Sequence, residues 1–155
     1  MVKIHIIGPV GSGKSSLAKS LSNKFNIPLV ELDNVVRERK PTGDVRRSNE
    51  EIINLIATTT KKNGWVSEGV HTHDWIGPLL TEADLIIYYE PSTYVRLHRI
   101  NKRFVKQCLK IEPSNYKPTL KMLKSMYKWT DLHNKKWKGE IVEVLEPFQD
   151  KVIHL

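Results

Sequence analysis

Apolar positions along the chain alternate between two spacings, one of strands and one of helices. Residues 2–7 are short, apolar and rich in β-branched side chains, and a glycine-rich loop at 8–13 follows at once. Over residues 14–25 the apolar positions Leu17, Ala18, Leu21 and Phe25 stand at helical spacing, and Asn26 and Pro28 stop the helix. Residues 29–32 form a short strand. Ser48 and Glu51 make a capping box before Ile52, Ile53, Leu55 and Ile56, so a helix starts there and ends at Asn63 and Gly64. Residues 65–67 read as a third strand. Residues 85–89 read as a fourth, nearly continuous in apolar and aromatic side chains, as buried parallel strands are. A long helix opens at Pro91 and Ser92 and runs to about Ile111. A second follows from Pro118 to about Asn134, a short one covers 140–145, and residues 152–155 read as an edge strand. Strands separated by helices predict a three-layer α/β fold with a five-stranded parallel sheet flanked by helices. No repeat, linker or low-complexity tract divides the 155 residues, so a single domain over 1–155 is expected.

At this length roughly two thirds of the unfolded chain's surface can be buried, so no disulfide or metal is needed to explain folding. One cysteine excludes a disulfide framework and fits a reducing, cytoplasmic setting. The first residues are a poor secretory signal, and no apolar run approaches the ~18 residues that span a bilayer, so no membrane partner is expected. Charge adds more. The net charge is +8, and it is unevenly placed. Residues 91–139 carry 13 Lys or Arg against Glu112 and Asp131, a net of +11, while the rest of the chain nets −3. An anionic partner is implied for that third of the chain, whether phosphorylated small molecules or nucleic acid.

Gly8-Pro9-Val10-Gly11-Ser12-Gly13-Lys14-Ser15 satisfies the phosphate-loop pattern, and it sits between a predicted strand and a predicted amphipathic helix, the context the pattern requires. Glycines let the backbone curl and aim N–H groups at phosphate oxygens, and the helix start adds its positive dipole end. The expected nucleotide-phosphate ligands are Gly8, Gly11, Ser12, Gly13, Lys14, Ser15 and Ser16. Lys14 reaches the β- and γ-phosphates and Ser15 holds Mg²⁺, so ATP and Mg²⁺ are the expected cofactors. Ligands of open parallel sheets bind beyond the carboxyl ends of strands, where Glu31, Asp33 and Glu68 also lie.

These residues resemble the adenylate-kinase-like branch of the phosphate-loop NTPases over essentially the whole length. Within it the chain looks most like the small bacterial proteins labelled DNA topology modulation proteins. The resemblance is carried by the loop, by Leu32-Asp33, by Trp65-Val66-Ser67-Glu68-Gly69, by Ala83-Asp84 and by Asn115-Tyr116-Lys117-Pro118-Thr119. Glu31 and Asp33 are similar to the paired acids of small-metabolite kinases such as shikimate kinase, which implies that Asp33 orients or deprotonates an acceptor. Glu68-Gly69 resembles the Asp-Gly of nucleoside monophosphate kinases. That implies support of Mg²⁺ through water by Glu68, with Glu31 behind it. Arg99 and Arg103 match the arginines, four apart, that bind the transferred phosphate in those kinases. Arg37 and His71 are the implied acceptor contacts, and 106–119 is the implied lid. The chain lacks a second lid motif of Arg-x-Asp-Asp type and has Val70-His71-Thr72-His73 where Phe-Pro-Arg follows in those kinases, which leaves the acceptor open.

On the long helix, Leu97, Ile100, Phe104, Cys108 and Ile111 form an apolar face. Arg96, Arg99, Arg103, Lys106 and Lys110 form a basic stripe opposite it. Arg96, Lys106 and Lys110 are expected to be solvated. Arg99 and Arg103 are expected to stabilise a transferring phosphoryl group, whose charge one lysine does not neutralise. His71, His73 and Asp74 lack a third soft ligand nearby, so a substrate loop is expected there rather than a zinc site. Trp129 and Trp137, with Met122, Leu123, Met126 and Leu132, are expected to be core. The leading expectation is a kinase that transfers the γ-phosphate of ATP to a small acceptor, with a nucleoside or nucleotide as first choice. The alternative is a nucleotide-dependent DNA-associated factor in which the +11 stretch meets the DNA backbone and ATP is hydrolysed instead.

Overall fold

The computed structural model describes residues 1–113 and 117–155. In chain order the elements are β1 (Lys3–Ile7), α1 (Lys14–Phe25), β2 (Leu29–Glu31), α2 (Leu32–Val36), β3 (Arg37–Glu38), β4 (Val45–Arg46), α3 (Asn49–Thr60) and β5 (Trp65–Gly69). They continue with α4 (Gly77–Glu82), β6 (Leu85–Tyr88), α5 (Thr93–Cys108), α6 (Leu120–Leu132), α7 (Lys138–Leu145) and β7 (Val152–His154). The sheet order is β2-β5-β1-β6-β7, and every pairing within it is parallel. The chain leaves β1 for β2, returns to β5 between them, then crosses β1 to reach β6. This reversal opens a crevice beyond the carboxyl ends of β1, β5 and β6.

Each sheet face is apolar, which is why the central strands read as continuous hydrophobic runs. Ile7, Trp65 and Ile86 pack against Leu32, Val35 and Val36 of α2, Ile52 and Ile56 of α3, Leu79 and Leu80 of α4, and Ile141 and Leu145 of α7. Ile4, Ile6, Val66 and Ile87 pack against Ala18, Leu17 and Leu21 of α1. The expected capping box is present. Ser48 Oγ accepts from the Glu51 backbone N–H, and the Glu51 carboxylate accepts from the Ser48 backbone N–H.

Several expectations need correction. The second strand ends at Glu31, because Leu32 already begins α2, a one-and-a-half-turn helix whose three apolar side chains fill the core. Arg47 Nη1 donates to the carbonyls of Asn34 and Val35 at 2.5 and 3.0 Å, satisfying acceptors that so short a helix leaves open. The long helix ends at Cys108, and its buried residues are Arg96, Ile100 and Gln107. Cys108 and Ile111 are exposed. Arg96, expected in solvent, is 1% exposed. The two C-terminal helices are one rod. α6 passes through a π-helical stretch, His133–Trp137, into α7 with right-handed helical backbone at each junction. His133-Asn134 and Gly139 read as stop signals, but the stretch is held helical by contacts of His133 and Asn134 with α5 and its approach. Trp129 is 38% exposed rather than core, since Met126 and Thr130 take the buried face of α6. Of the implied lid, Ser114, Asn115 and Tyr116 lie outside the described residues.

α3 offers a direct check of which face holds the sheet. Ile56 is 1% exposed and Ile53 is 53% exposed on the same helix. Ile56→Ala should cost about 3 kcal/mol and Ile53→Ala less than about 0.5 kcal/mol, measured by urea denaturation monitored by circular dichroism.

Candidate functional site

The loop after β1 is shaped by contact with the β6–α5 junction. Gly11 and Gly13 have φ of +75° and +96°, a region side chains rarely occupy. A Cβ on Gly8 would overlap the Tyr89 carbonyl oxygen. One on Gly11 would lie 2.8 Å from the Arg96 carbonyl oxygen and 2.9 Å from Ile100 Cγ1. Gly13 is the residue before α1, and no side chain caps the helix start. The first turn of α1 has no acidic residue, so its N–H groups and dipole face the loop without a competing carboxylate.

Lys14 and Ser15 converge on Glu68 at the carboxyl end of β5. Ser15 Oγ donates to Glu68 Oε1 at 2.9 Å, and Lys14 Nζ stands 4.0 Å from Glu68 Oε2. Glu68 is 7% exposed, and its Oε2 is buried with no hydrogen-bond partner among the described residues. Burial pushes the Glu68 carboxyl above its ordinary value. Lys14 and the Ser15 hydrogen bond offset part of this, and the charges of Asp33 and Glu31 add to it. Glu31 is the register neighbour of Glu68 across β2 and β5. Its Oε2 accepts from Asn34 Nδ2 at 2.6 Å, and Lys19 Nζ lies 4.0 Å from Oε1.

Asp33 sits in the first turn of α2 with its carboxylate in solvent. His71 Nε2 donates to Asp33 Oδ1 at 3.1 Å. That hydrogen bond holds the Asp33 carboxyl below its ordinary value, with the charges of His71, Lys14 and Arg39 assisting against partial desolvation. His71 also meets Trp75 at a ring separation of 5.2 Å, and Trp75 stacks on His73. The two acids are thus pushed in opposite directions, Glu68 toward the proton and Asp33 away from it.

Arg99 and Arg103 of α5 complete the other wall. With Gly11, Gly13, Ser16, Leu17 and Tyr89 they line a cavity of about 550 Å³ above the loop. Arg99 Nη1 donates to the Ser12 carbonyl, and Arg103 Nη2 reaches Met126 Sδ at 3.7 Å. Of the expected residues, Gly11, Gly13, Ser16, Arg99 and Arg103 line this cavity, Lys14 and Ser15 meet Glu68 at the end of β5, and Glu31 and the Asp33–His71 pair stand beside them at the ends of β2 and β5. The Arg37 backbone N–H donates to the Asp33 carbonyl as α2 ends, but its guanidinium makes no hydrogen bond or ion pair to a described residue. It is exposed on β3, paired by register with Arg46.

Sequence reasoning missed Tyr89 as a cavity wall and Asn34 as the partner of Glu31. The spacing of Glu31 and Asn34, three apart at a helix start, is the signal that points to the second. It also missed a buried pair on the central strands. His5 Nδ1 and Ser67 Oγ are hydrogen-bonded at 2.8 Å, and burial, with the charge of His71 adding, lowers His5 to about 4. His5 is therefore neutral at physiological pH.

Two comparisons bear on this geometry through sequence and one through structure. Residues 4–69 match the model of the AAA family, ATPases associated with various cellular activities. An adenylate kinase of Clostridium perfringens (strain 13 / Type A) is 31% identical over 104 residues, covering 54% of this chain and 48% of the relative. A cytidylate kinase of Pyrobaculum islandicum is 28% identical over 114 residues, covering 66% of this chain and 61% of the relative. The chain spans about half the length of the adenylate kinase it matches. A crystal structure of a gluconokinase from Sinorhizobium meliloti 1021 superposes with a TM-score of 0.55 at 13% identity, covering 99% of this chain and 81% of that one. A shikimate kinase from Bacteroides thetaiotaomicron gives 0.53 at 15% identity, covering 96% and 97%. The fold is that of the phosphate-loop kinases. Within that fold the loop lies at the carboxyl end of β1, beside the point where the strand order reverses. No helix among the described residues is long and apolar enough to cross a membrane.

The burial of Glu68 has a consequence for stability. A carboxyl raised above its unfolded value binds its proton more tightly when folded. Its contribution is present below the unfolded value and is lost as pH rises through the folded one. At neutral pH the ionised Glu68 therefore weakens the ligand-free fold. Glu68→Gln should raise the melting temperature of the free protein at pH 7.5, with the gain shrinking as pH falls toward 4.5, read by differential scanning calorimetry across that range.

Proposed function

We propose that this protein is an ATP-dependent phosphotransferase acting on a small acceptor. The observation that carries the reading is the facing of two charged sets across the phosphate loop. Lys14, Ser15 and Glu68 lie on the sheet side, and Arg99 and Arg103 line the 550 Å³ cavity on the other. Phosphoryl transfer needs little covalent help from protein. It needs phosphates held in line and their charge neutralised, which is what such a set provides. Backbone N–H groups of Gly11 to Ser16 and the Lys14 ammonium hold the β- and γ-phosphates. Arg99 and Arg103 meet the transferring group.

The oxygen donors suit Mg²⁺, a hard cation carried by one or two carboxylates together with phosphates. The buried Glu68 Oε2, which accepts no hydrogen bond among the described residues, fits that requirement together with Ser15 Oγ. Ser15 would hold the ion, and Glu68, backed by Glu31, would hold it through water. Bound Mg²⁺ neutralises charge on the β- and γ-oxygens. Asp33, kept ionised by His71, orients the acceptor hydroxyl and takes its proton. A nucleoside or nucleotide is the first choice of acceptor, following the adenylate and cytidylate kinase relatives. Arg37, exposed on the β3–β4 hairpin, is the candidate contact for an acceptor anion.

A second reading rests on the surface of α6. Lys121, Lys124 and Lys128 flank a shallow hollow of about 390 Å³, and Tyr127 and Trp129 are each 38% exposed on the same helix. Cations interleaved with aromatic rings suit a nucleic acid strand. This supports a nucleotide-dependent, DNA-associated role of the kind the resemblance to topology modulation proteins implies.

The deciding experiment incubates the protein with labelled ATP and pools of nucleosides, nucleotides and small hydroxylated metabolites. A phosphorylated product is expected from at least one pool. Lys14→Ala and Arg103→Ala should each lower its turnover by about 10²-fold or more, and Gly11→Ala should abolish nucleotide binding while the circular dichroism spectrum is kept. No product from any pool, together with DNA binding that falls steeply with salt, overturns the kinase reading in favour of the second.

A further inference from the structure

Arg96 is the largest charged side chain buried in the described protein, and nothing in the proposed chemistry uses it. It lies on α5 one turn before Arg99. Its two ends do different things. Its carbonyl oxygen forms the wall against which Gly11 of the phosphate loop rests. Its guanidinium points into a polar cluster behind that wall. Nη2 donates to Asn134 Oδ1 at 2.6 Å and to Thr93 Oγ1 at 3.0 Å.

Asn134 belongs to the π-helical stretch His133–Trp137 that joins α6 to α7. Its own Nδ2 donates back to Thr93 Oγ1 at 3.1 Å. A second set of bonds fastens the same stretch. His133 Nε2 donates to Glu90 Oε1 at 2.8 Å, and Lys138 Nζ to Glu90 Oε2 at 2.9 Å. Glu90 lies just before α5. The approach and first turn of α5 are thus tied at two points to one stretch of irregular helix. Such π stretches add a residue to a turn and recur at functional positions.

The cluster is costly. Arg96 Nε and Nη1 and His133 Nδ1 are all buried without a hydrogen-bond partner among the described residues. Burial lowers the Arg96 guanidinium against the opposing charge of Glu90, and it raises the Tyr88 hydroxyl to a degree that keeps it protonated. A buried, incompletely bonded cation weakens a fold, and well-packed apolar side chains of similar volume often serve stability better. An arginine at this point makes sense where it fixes a position instead.

We infer that Arg96 is a positioning residue for the phosphate site. Its guanidinium anchors α5 to the π stretch, which sets the height at which Arg99 stands over the loop. This rests on the reading of the site as a triphosphate site. The ligand that feels the anchor is the terminal phosphate of a nucleoside triphosphate, because Arg99, one turn along α5, already reaches over the loop to the Ser12 carbonyl. The fastening also ties the basic α6–α7 rod to that same phosphate site.

The test measures binding of ADP and of a non-hydrolysable ATP analogue, each with Mg²⁺, to wild type, Arg96→Met, Arg99→Ala and the double variant. Methionine keeps the length and removes the charge. Arg96→Met should melt at or above the wild-type temperature, yet lose about tenfold of the preference for triphosphate over diphosphate. In the Arg99→Ala background the same change should alter that preference by less than about twofold, since a residue acting through another is silent once that other is gone. If Arg96→Met does not fold, Asn134→Ala removes one of the guanidinium's two acceptors, the one on the π stretch, while keeping its charge. It should lower the preference about threefold, again only where Arg99 is present. A folded variant with unchanged preference, or effects of positions 96 and 99 that simply multiply, overturns the inference while leaving the site reading intact. A wild-type protein that binds no triphosphate overturns both.

Discussion

The phosphate loop has almost no room to be anything else. Gly8 lies against the Tyr89 carbonyl, Gly11 against the Arg96 carbonyl and Ile100, and Gly13 against the Arg99 guanidinium. A loop near residue 10 is thus given its shape by a strand end and a helix about 80 residues later. That contact exists only because β6 lies beside β1 in the parallel sheet, with Tyr89 continuing the ladder through its N–H to the Ile7 carbonyl at 2.9 Å. Sheet order, loop curvature and the placing of Arg99 and Arg103 are one constraint viewed from three sides. A side chain at Gly11 strains the backbone and displaces α5 together.

The electrostatics of the crevice follow from where the strands stop. Glu31 and Asp33 end up close enough to raise Glu68, while the charge of Lys14 draws both Glu68 and Asp33 toward their ionised forms. Glu68, enclosed at the end of β5, is pushed toward its neutral form. Asp33, in the first turn of α2 and bonded by His71, is drawn toward its charged form. Environments that separate two carboxyls in this way give one fold two chemical roles. Glu68 suits a cation that restores its charge, and Asp33 suits a proton acceptor exposed to whatever enters from solvent.

The elements nearest the loop were legible in the sequence because their signals are local. A β-rich run, a glycine loop, an amphipathic helix and a capping box each speak within about ten residues, and each stands where expected. The loop's place between strand and helix was legible for the same reason. Arg96 was not. Helical periodicity assigns a charged residue to the solvent face, and nothing within α5 reveals that Asn134, 38 residues on, accepts from it. The π stretch was hidden similarly, since His133, Asn134 and Gly139 are stop signals until Glu90 and Thr93 bind them. Helix α2 escaped because five residues carry too little pattern, its core contacts being supplied by α3 and β5. The pairing of Asp33 with His71 likewise depends on β2 and β5 being neighbours, a fact of topology rather than of spacing.

Calorimetric titration of the non-hydrolysable ATP analogue, with and without Mg²⁺ over a series of pH values from acidic to neutral, reaches the central claim most directly when run in two buffers of different ionisation enthalpy. One-to-one binding that depends on Mg²⁺ and releases part of a proton is expected, because a cation beside Glu68 draws off the proton that burial favours. Glu68→Gln should bind without that release. Absence of Mg²⁺-dependent binding, or an identical buffer-dependent heat in Glu68→Gln, would contradict a triphosphate site built on this loop and this carboxylate.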